Sequence, residues 1–346
     1  MKLTSCRAVL GTALTGLMVL GGTGATGVAG AATKKPSASL SGVTLNVGDE
    51  QGIFEGPLQA AGLLKSVPYK INWSTFVGGP SVVAAEVGGS VDVGEMSDPP
   101  PIFAQAAGDP IKIVAAQEPE NPATQSNFAI VVQPNSPIHT VKQLKGKSVS
   151  LLNGTILQYI AIRALQKAGL SYSDINPVNV SPPSGATAAL EKGSVDALVT
   201  SLAAADGLVQ SGQGRIIATG AGLSRSLNYV VASDAALANA GKSAALADFV
   251  QRLAKAQQYV DAHTAAYAPV FAQYNSIPAP VATAVLKKLP IIYVPITAPI
   301  EKAQQSEANV FFSLKLIQSH LDTKLEFDTH LNSVVAKVTG SSGPTS

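Results

Sequence analysis

A single cysteine, Cys6, occurs among the 346 residues, and it lies in the amino-terminal segment. Once that segment is removed, disulfides, thiolate-bound metals and cysteine nucleophiles are excluded from the remaining chain. Histidine is almost as scarce: His139, His263, His320 and His330 are the full set, without a His-x-x-x-His or His-plus-Glu spacing, so zinc and histidine-base chemistry have little support. Charged residues make up only 13% and the formal net charge is +2, with Lys and Arg thinly spread, which leaves no basic patch for nucleic acid. A Gly-x-Ser-x-Gly elbow, a complete dinucleotide fingerprint and a Gly-Lys-Ser or Gly-Lys-Thr phosphate loop are all missing. No cofactor is implied, and catalysis is the minor reading.

What is present is a globular composition, 46% hydrophobic, on a chain long enough for two domains. Residues 1–31 have the parts of an export signal: Lys2 and Arg7, a weakly apolar run over 8–22 too short to span a bilayer, and small residues at Ala29, Gly30 and Ala31. Cleavage is expected after Ala31. Residues 32–42 then form a polar leader, residues 339–346 a flexible tail, and the protein is expected to be periplasmic or secreted.

Between these ends, short apolar runs alternate with helical patterns. Strands are expected at 43–47, 69–76, 111–116, 128–132, 149–152, 178–180, 195–199, 215–218 and 228–231. Helices are expected at 57–64, 82–87, 102–107, 156–170, 185–191, 203–209 and 243–264, with shorter ones at 281–286, 303–311 and 314–317, and an apolar segment at 334–338 ends the order. This order predicts α/β architecture, a mixed sheet with helices on both faces. Gly193-Ser194-Val195-Asp196 repeats Gly89-Ser90-Val91-Asp92, so the chain reads as two similar lobes.

Turns rich in Gly, Ser, Asp and Pro follow the expected strands at 49–52, 78–81, 97–101, 154–155 and 181–184. Such residues punctuate any turn, but in open α/β sheets ligands lie beyond the carboxyl ends of the strands, and five such turns make the default site. Gly78-Gly79-Pro80-Ser81 and Gly154-Thr155 would present N–H and hydroxyl donors to a small oxyanion. Asp98, ahead of Pro99, Pro100 and Pro101, reads as the cap of a helix whose free N–H groups would face an anion. Asp98 with Glu95 and Asp49 with Glu50 are candidate carboxylate pairs. Arg225 either reaches the cleft as a bidentate oxyanion contact or is an exposed connector residue. Trp73, the only tryptophan, is expected in the core or the cleft wall.

The stretches "SVDVGEMSDPPPIFAQAAG", "IVVQPNSPIHTVKQLKGKSVSLLNGTILQYIAIRALQKAGLSYSDINPVNVSPPSGATAALEKGSVDALV" and "AKAQQYVDAHT" resemble the substrate-binding proteins of ABC importers for aliphatic sulfonates, taurine and nitrate. The resemblance runs from Val43 to at least Lys255. It implies a type II periplasmic-binding fold: two lobes, each a mixed sheet flanked by helices, joined by two crossings, with 43–130 and 229–338 as lobe one and 131–227 as lobe two. It further implies an exported, monomeric solute-binding component that captures a small organic anion, an organosulfonate with an apolar part, and presents it to a membrane permease. The alternatives are an enzyme on the same fold, such as a pyrimidine-synthesis relative, and a ligand-presenting sensor. The implied contacts are Asp49, Gln51, Gly52 and Ile53 after the first strand, then Ser97, Asp98 and Pro99, with Gly154, Thr155 and Gln158 from the other lobe. The reading of the turns themselves adds Gly78, Gly79, Ser201 and Arg225 as candidate ligand contacts. Two departures stand out: Gln158 occupies the place of the family's cleft histidine, and Thr200-Ser201-Leu202-Ala203-Ala204 that of a Trp-Asp-Pro-Tyr-like segment. Leu202, Ile53 and Phe54 are therefore expected to make a more apolar pocket.

Overall fold

The computed structural model describes residues 40–340. The expected export signal, most of the polar leader and the end of the tail lie outside them. In chain order the first half contains β1 (Thr44–Glu50), α1 (Glu55–Ala60), β2 (Lys70–Phe76), α2 (Gly79–Val87), β3 (Val93–Ser97), α3 (Pro99–Ala107), β4 (Ile111–Pro119), β5 (Phe128–Val132), β6 (Ser148–Leu151) and α4 (Ile156–Lys167). There follow β7 (Asn176–Asn179), α5 (Pro183–Glu191), β8 (Ala197–Ser201), α6 (Leu202–Gln210), β9 (Arg215–Thr219), β10 (Asn228–Ser233), α7 (Asp234–Ala238) and the long α8 (Ala240–Ala262). The chain closes with α9 (Thr264–Asn275), α10 (Ala279–Lys288), β11 (Ile291–Val294), α11 (Ala298–Ser313) and α12 (Asn332–Thr339).

The strands form two mixed sheets, in the orders β11-β4-β10-β3-β1-β2 and β7-β6-β8-β5-β9. Apart from the added β11, the two orders superpose, with β2-β1-β3-β10-β4 matching β7-β6-β8-β5-β9. In both, a strand returning from elsewhere in the chain pairs antiparallel between two others. This is the two-lobed type II arrangement expected above. All of β5 belongs to the second sheet, so the change of sheet falls before Phe128 rather than at residue 130.

The repeated Gly-Ser-Val-Asp segment does the same work in each sheet. Gly89 and Gly193 end a helix in the left-handed region, at φ 75° and 70°. The carboxylate of Asp92 then accepts from the Asn46 N–H at 2.9 Å, and that of Asp196 from the Ser148 N–H at 2.8 Å. The backbone N–H of each Asp in turn donates to the carbonyl of the same partner residue. An aspartate thus sets the register between the strand it leads into and its parallel neighbour.

Alternation along β1 sends Leu45 and Val47 into a core shared with α8, whose Leu246, Phe249, Val250 and Leu253 recur at helical spacing. The opposite face carries Gly48 and, beside it on β3, Gly94. A Cβ at Gly94 would stand 2.2 Å from Val82 Cγ1, so α2 sits directly on the strand and only glycine permits it. Trp73 packs at the edge of the α8 core, 6.1 Å from the Phe249 ring.

Three local expectations change. Residues 314–317 form no helix, because α11 ends at Ser313 and Lys315 turns left-handed at φ 59°. The short β11, between Pro290 and Pro295, adds an edge strand where the prolines suggested only loop. α9 forms despite Pro269 in its interior. Among the described residues, no helix is long and apolar enough to cross a membrane.

Candidate functional site

All five turns singled out in the sequence are strand-to-helix junctions at the carboxyl ends of parallel strands: β1–α1, β2–α2 and β3–α3 in the first sheet, β6–α4 and β7–α5 in the second. Those of α2, α3 and α4 meet across the cleft. A Cβ at Gly78 would stand 2.9 Å from Leu152 Cδ2, and one at Gly154 would lie 3.8 Å from Pro80 and 3.9 Å from Phe103. Behind them, Gly79 packs on Pro100 and Met96. On the other flank Gly52, at φ 75°, lies under the ring of Tyr274, whose hydroxyl donates to Glu55 at 3.1 Å; Gln51 beside it is exposed and left-handed.

The chain's own side chains already occupy most of the donors expected to face an anion. Asp49 accepts from the N–H groups of Phe54 and Glu55, both at 3.0 Å, and so caps α1 itself. Gln158 Oε1 accepts from the Gly154 N–H at 2.8 Å while its Nε2 donates to Tyr172 at 3.2 Å. Thr155 caps α4 by accepting from Leu157, and Ser201 caps α6 by accepting from Ala204. The three prolines that open α3 carry no N–H at all, so that helix start cannot supply the anion donors its cap pattern suggested. Among the described residues the hydroxyl hydrogens of Ser97 and Ser201 and the N–H of Gly79 meet no acceptor.

Three further expectations are corrected. Asp98 does not cap α3; its side chain is buried, and Ser224 donates to it at 3.4 Å. Its carboxylate partner is Glu307 of α11, not Glu95. Burial pushes Asp98 up to about 7 against the hydrogen bonds from Glu307 and Ser224 that favour its ionised form. Burial likewise pushes Glu307 well above the ordinary carboxylate range, with the Asp98 charge adding to it. Phe54 lines no pocket: it is fully buried edge-on to Phe249, because the turn that carries it is pulled inward by the Asp49 cap. Ile53 packs against that same core and Leu202 against the core of the second sheet.

Arg225 neither reaches the cleft nor lies free. Its guanidinium grips Glu118, with Nε 2.8 Å from Oε2, joining the end of β4 to the segment that returns to β10. These two residues sit at the two crossings between the sheets, where Ser126 and Ser226 also meet at 3.3 Å. Replacing Arg225 by methionine strands the Glu118 carboxylate, which is only 10% exposed, and is expected to cost about 2–3 kcal/mol in urea unfolding. A loss under about 0.5 kcal/mol would mean that the pair is solvated like a surface ion pair.

The sequence pointed to Glu95 only as a partner for Asp98, and to Glu118 and Glu307 not at all. Glu118 follows the apolar run of β4 within Gln-Glu-Pro-Glu, Glu307 lies among the polar residues of α11, and nothing local marks what either meets.

Comparison with known proteins places the chain. Residues 78–266 match the family described as NMT1/THI5 like. A protein of Escherichia coli (strain K12) named for binding aliphatic sulfonates is 30% identical over 306 residues, covering 86% of this chain and 92% of that protein. Among solved structures, the alkanesulfonate-binding protein SsuA from Xanthomonas axonopodis pv. citri, bound to MOPS, is similar with a TM-score of 0.75 at 28% identity, over 83% of this chain and 99% of that one. The periplasmic aliphatic sulphonate binding protein SsuA from Escherichia coli has a TM-score of 0.70, also at 28% identity, over 82% and 92%. With two sheets of matching order, strand-to-helix junctions facing one another between them, and these similarities along most of its length, the chain belongs to the NMT1/THI5-like family of the type II periplasmic-binding superfamily.

Proposed function

We propose that the protein is the exported solute-binding component of an ABC importer, and that it captures a small organic anion, an organosulfonate with an apolar part, between its two sheets. The observation that carries this reading is the meeting of the Gly78–Gly79 and Gly154 junctions across the cleft, in a fold shared with sulfonate-binding relatives. Lobes joined at two crossings close over a solute by hinge motion and exclude water from it. The closed form then offers a surface to a membrane permease. The Ser97 and Ser201 hydroxyls and the Gly79 N–H are the donors for the anion, two from the first sheet's side of the cleft and one from the second's, while Asp49, Gln51, Gly52, Pro99, Thr155 and Gln158 shape the junctions that position them. Arg225 acts at the crossings rather than on the solute.

Isothermal titration of protein freed of solute by unfolding and refolding, against alkanesulfonates of increasing length, arylsulfonates, taurine, nitrate and sulfate, tests the reading. Saturable binding of at least one organosulfonate, with sulfate and nitrate weaker, is the expected result. No heat from any of them would overturn the anion assignment.

A further inference from the structure

The hairpin made by α9 and α10 touches both sheets but is fixed to only one. It is preceded by α8, which packs on the first sheet, and followed by β11, the edge strand of that sheet. α9 lies on the β1–α1 junction: the Tyr274 ring covers Gly52, and a Cβ at Gly56 would stand 3.3 Å from the Tyr267 hydroxyl oxygen. Successive residues of α10 then face different partners. Ala282 and Leu286 pack on Ala268 and Ala272 of α9, whereas Val281 and Val285 pack on Ala203 in the first turn of α6. α6 belongs to the second sheet, where its Ala205 and Leu208 enter the core. Ala203 lies two residues beyond Ser201, so the α6–α10 seam borders the β8–α6 junction and its hydroxyl donor.

Rotation of one sheet against the other must therefore open a seam on one flank of the cleft. On the α11 flank, Ala308 and Phe311 share one continuous core with Ile102 of α3, Ile160 of α4 and Val199 of β8. The α6–α10 seam is a small separate cluster: Val281, Val285 and Ala203, edged by Phe271 and Ile277, with an ion pair from Lys288 to Asp206 at 3.1 Å. That lysine is more than half exposed, so the pair adds little, and with few apolar groups buried this seam parts at the lower cost. The carboxyl end of α10 is held at a crossing, where Gln125 donates to the Lys288 carbonyl at 3.0 Å and the Glu120 N–H to the Pro290 carbonyl at 3.0 Å. Val281 lies about 10 Å from Lys288 along the helix, so a turn about the crossing opens the seam most at Val281.

We propose that the α6–α10 seam is the latch of the closed cleft: α10 travels with the first sheet, parts from α6 as the sheets swing open, and docks again beside Ser201 when a solute closes them. The inference rests on the cleft closing over a solute as read above, and not on what that solute is. Residues that never touch the solute thereby set how long it is held.

Thiol labelling tests the latch, because Cys6 is the chain's one native cysteine and Cys6→Ser leaves an introduced thiol alone. Val281→Cys and Ala282→Cys alter adjacent, fully buried positions of α10, the first against α6 and the second against α9. In refolded, solute-free protein a maleimide is expected to label Val281→Cys at least about tenfold faster than Ala282→Cys. Saturation with the tightest-binding alkanesulfonate of the series above is expected to slow the first about tenfold and to leave the second within about twofold. Val285→Cys replaces Val281→Cys, and Ala268→Cys replaces Ala282→Cys, should either fail to fold by circular dichroism. Equal labelling of the two positions would overturn the latch, since neither a permanent seam nor local unfolding of α10 favours one over the other. Fast labelling of Val281→Cys that the bound sulfonate leaves unchanged would also overturn it. Fast, selective labelling with no heat from any sulfonate in the titration would support the latch and overturn the anion reading alone.

Discussion

Replacing Phe311 by alanine is expected to lower the unfolding free energy by about 3–5 kcal/mol, read as a shift of the urea midpoint at unchanged slope. Phe311 lies on α11 and is fully buried. Its ring meets Phe103 of α3 at 5.0 Å and Tyr159 of α4 at 5.7 Å, so one side chain holds together a helix of the first sheet and a helix of the second. Truncation removes the transfer free energy of the ring and leaves a cavity among Ile102, Ile160 and Ala308, which rigid neighbours on three helices cannot refill. A loss below about 1 kcal/mol would mean that α11 does not anchor the second sheet. A lowered slope would instead report that the two halves now unfold apart.

Stability is expected to fall as pH rises from about 5 to 8. Burial pushes Asp98 up to about 7, and Glu50 and Glu326 up to about 8, while Glu86, Glu95 and Glu307 are held well above the ordinary carboxylate range by the same cause. In the unfolded chain these groups ionise near pH 4. Between the two ranges the folded state therefore holds protons that the unfolded state has released, and the stability they confer is present in mild acid and lost as pH climbs through the folded values. Each proton so retained contributes a slope of about 1.4 kcal/mol per pH unit. Exposed Asp174, held below its ordinary value by the Ser171 N–H, works in the other sense and only at lower pH. Thermal unfolding at constant ionic strength should give its highest midpoint near pH 5 and a steady decline to pH 8. A midpoint that rises over this interval would show that these carboxyls are ionised in the folded protein, with counter-charges supplied by solvent or solute.

The two effects share a cause. The region where α3, α11 and the returning segment at 224–227 converge is dense in polar groups that have been taken out of water together. Gln304 is an example: its amide donates to the Asp98 carbonyl at 3.0 Å and to Glu326 at 2.7 Å, and its oxygen accepts from Tyr229 at 3.0 Å. Burial, not these bonds, holds the carboxyls protonated, since the donors that reach Asp98 and Glu326 favour the ionised form, and the apolar cluster around Phe311 helps keep water away.

Much of this protein is legible in its sequence. The α/β alternation, the strand-to-helix junctions and the Gly-Ser-Val-Asp repeat are local patterns, and each is realised where the pattern put it. A left-handed glycine after a helix, or an aspartate leading into a strand, acts within a few residues or on the adjacent strand, so its role can be read along the chain. What tertiary structure alone decided is the pairing of charges and the use of donors. Asp98 has the sequence of a helix cap, yet prolines remove the N–H groups it would bond, and α11 brings Glu307 to it instead. Arg225 has the sequence of a free connector, yet Glu118, 107 positions earlier, claims it. Asp49 and Glu95 become neighbours only because β1 and β3 lie side by side. The energy of a buried charge depends on what surrounds it in space, at distances of a few ångströms, and sequence separation carries no information about that.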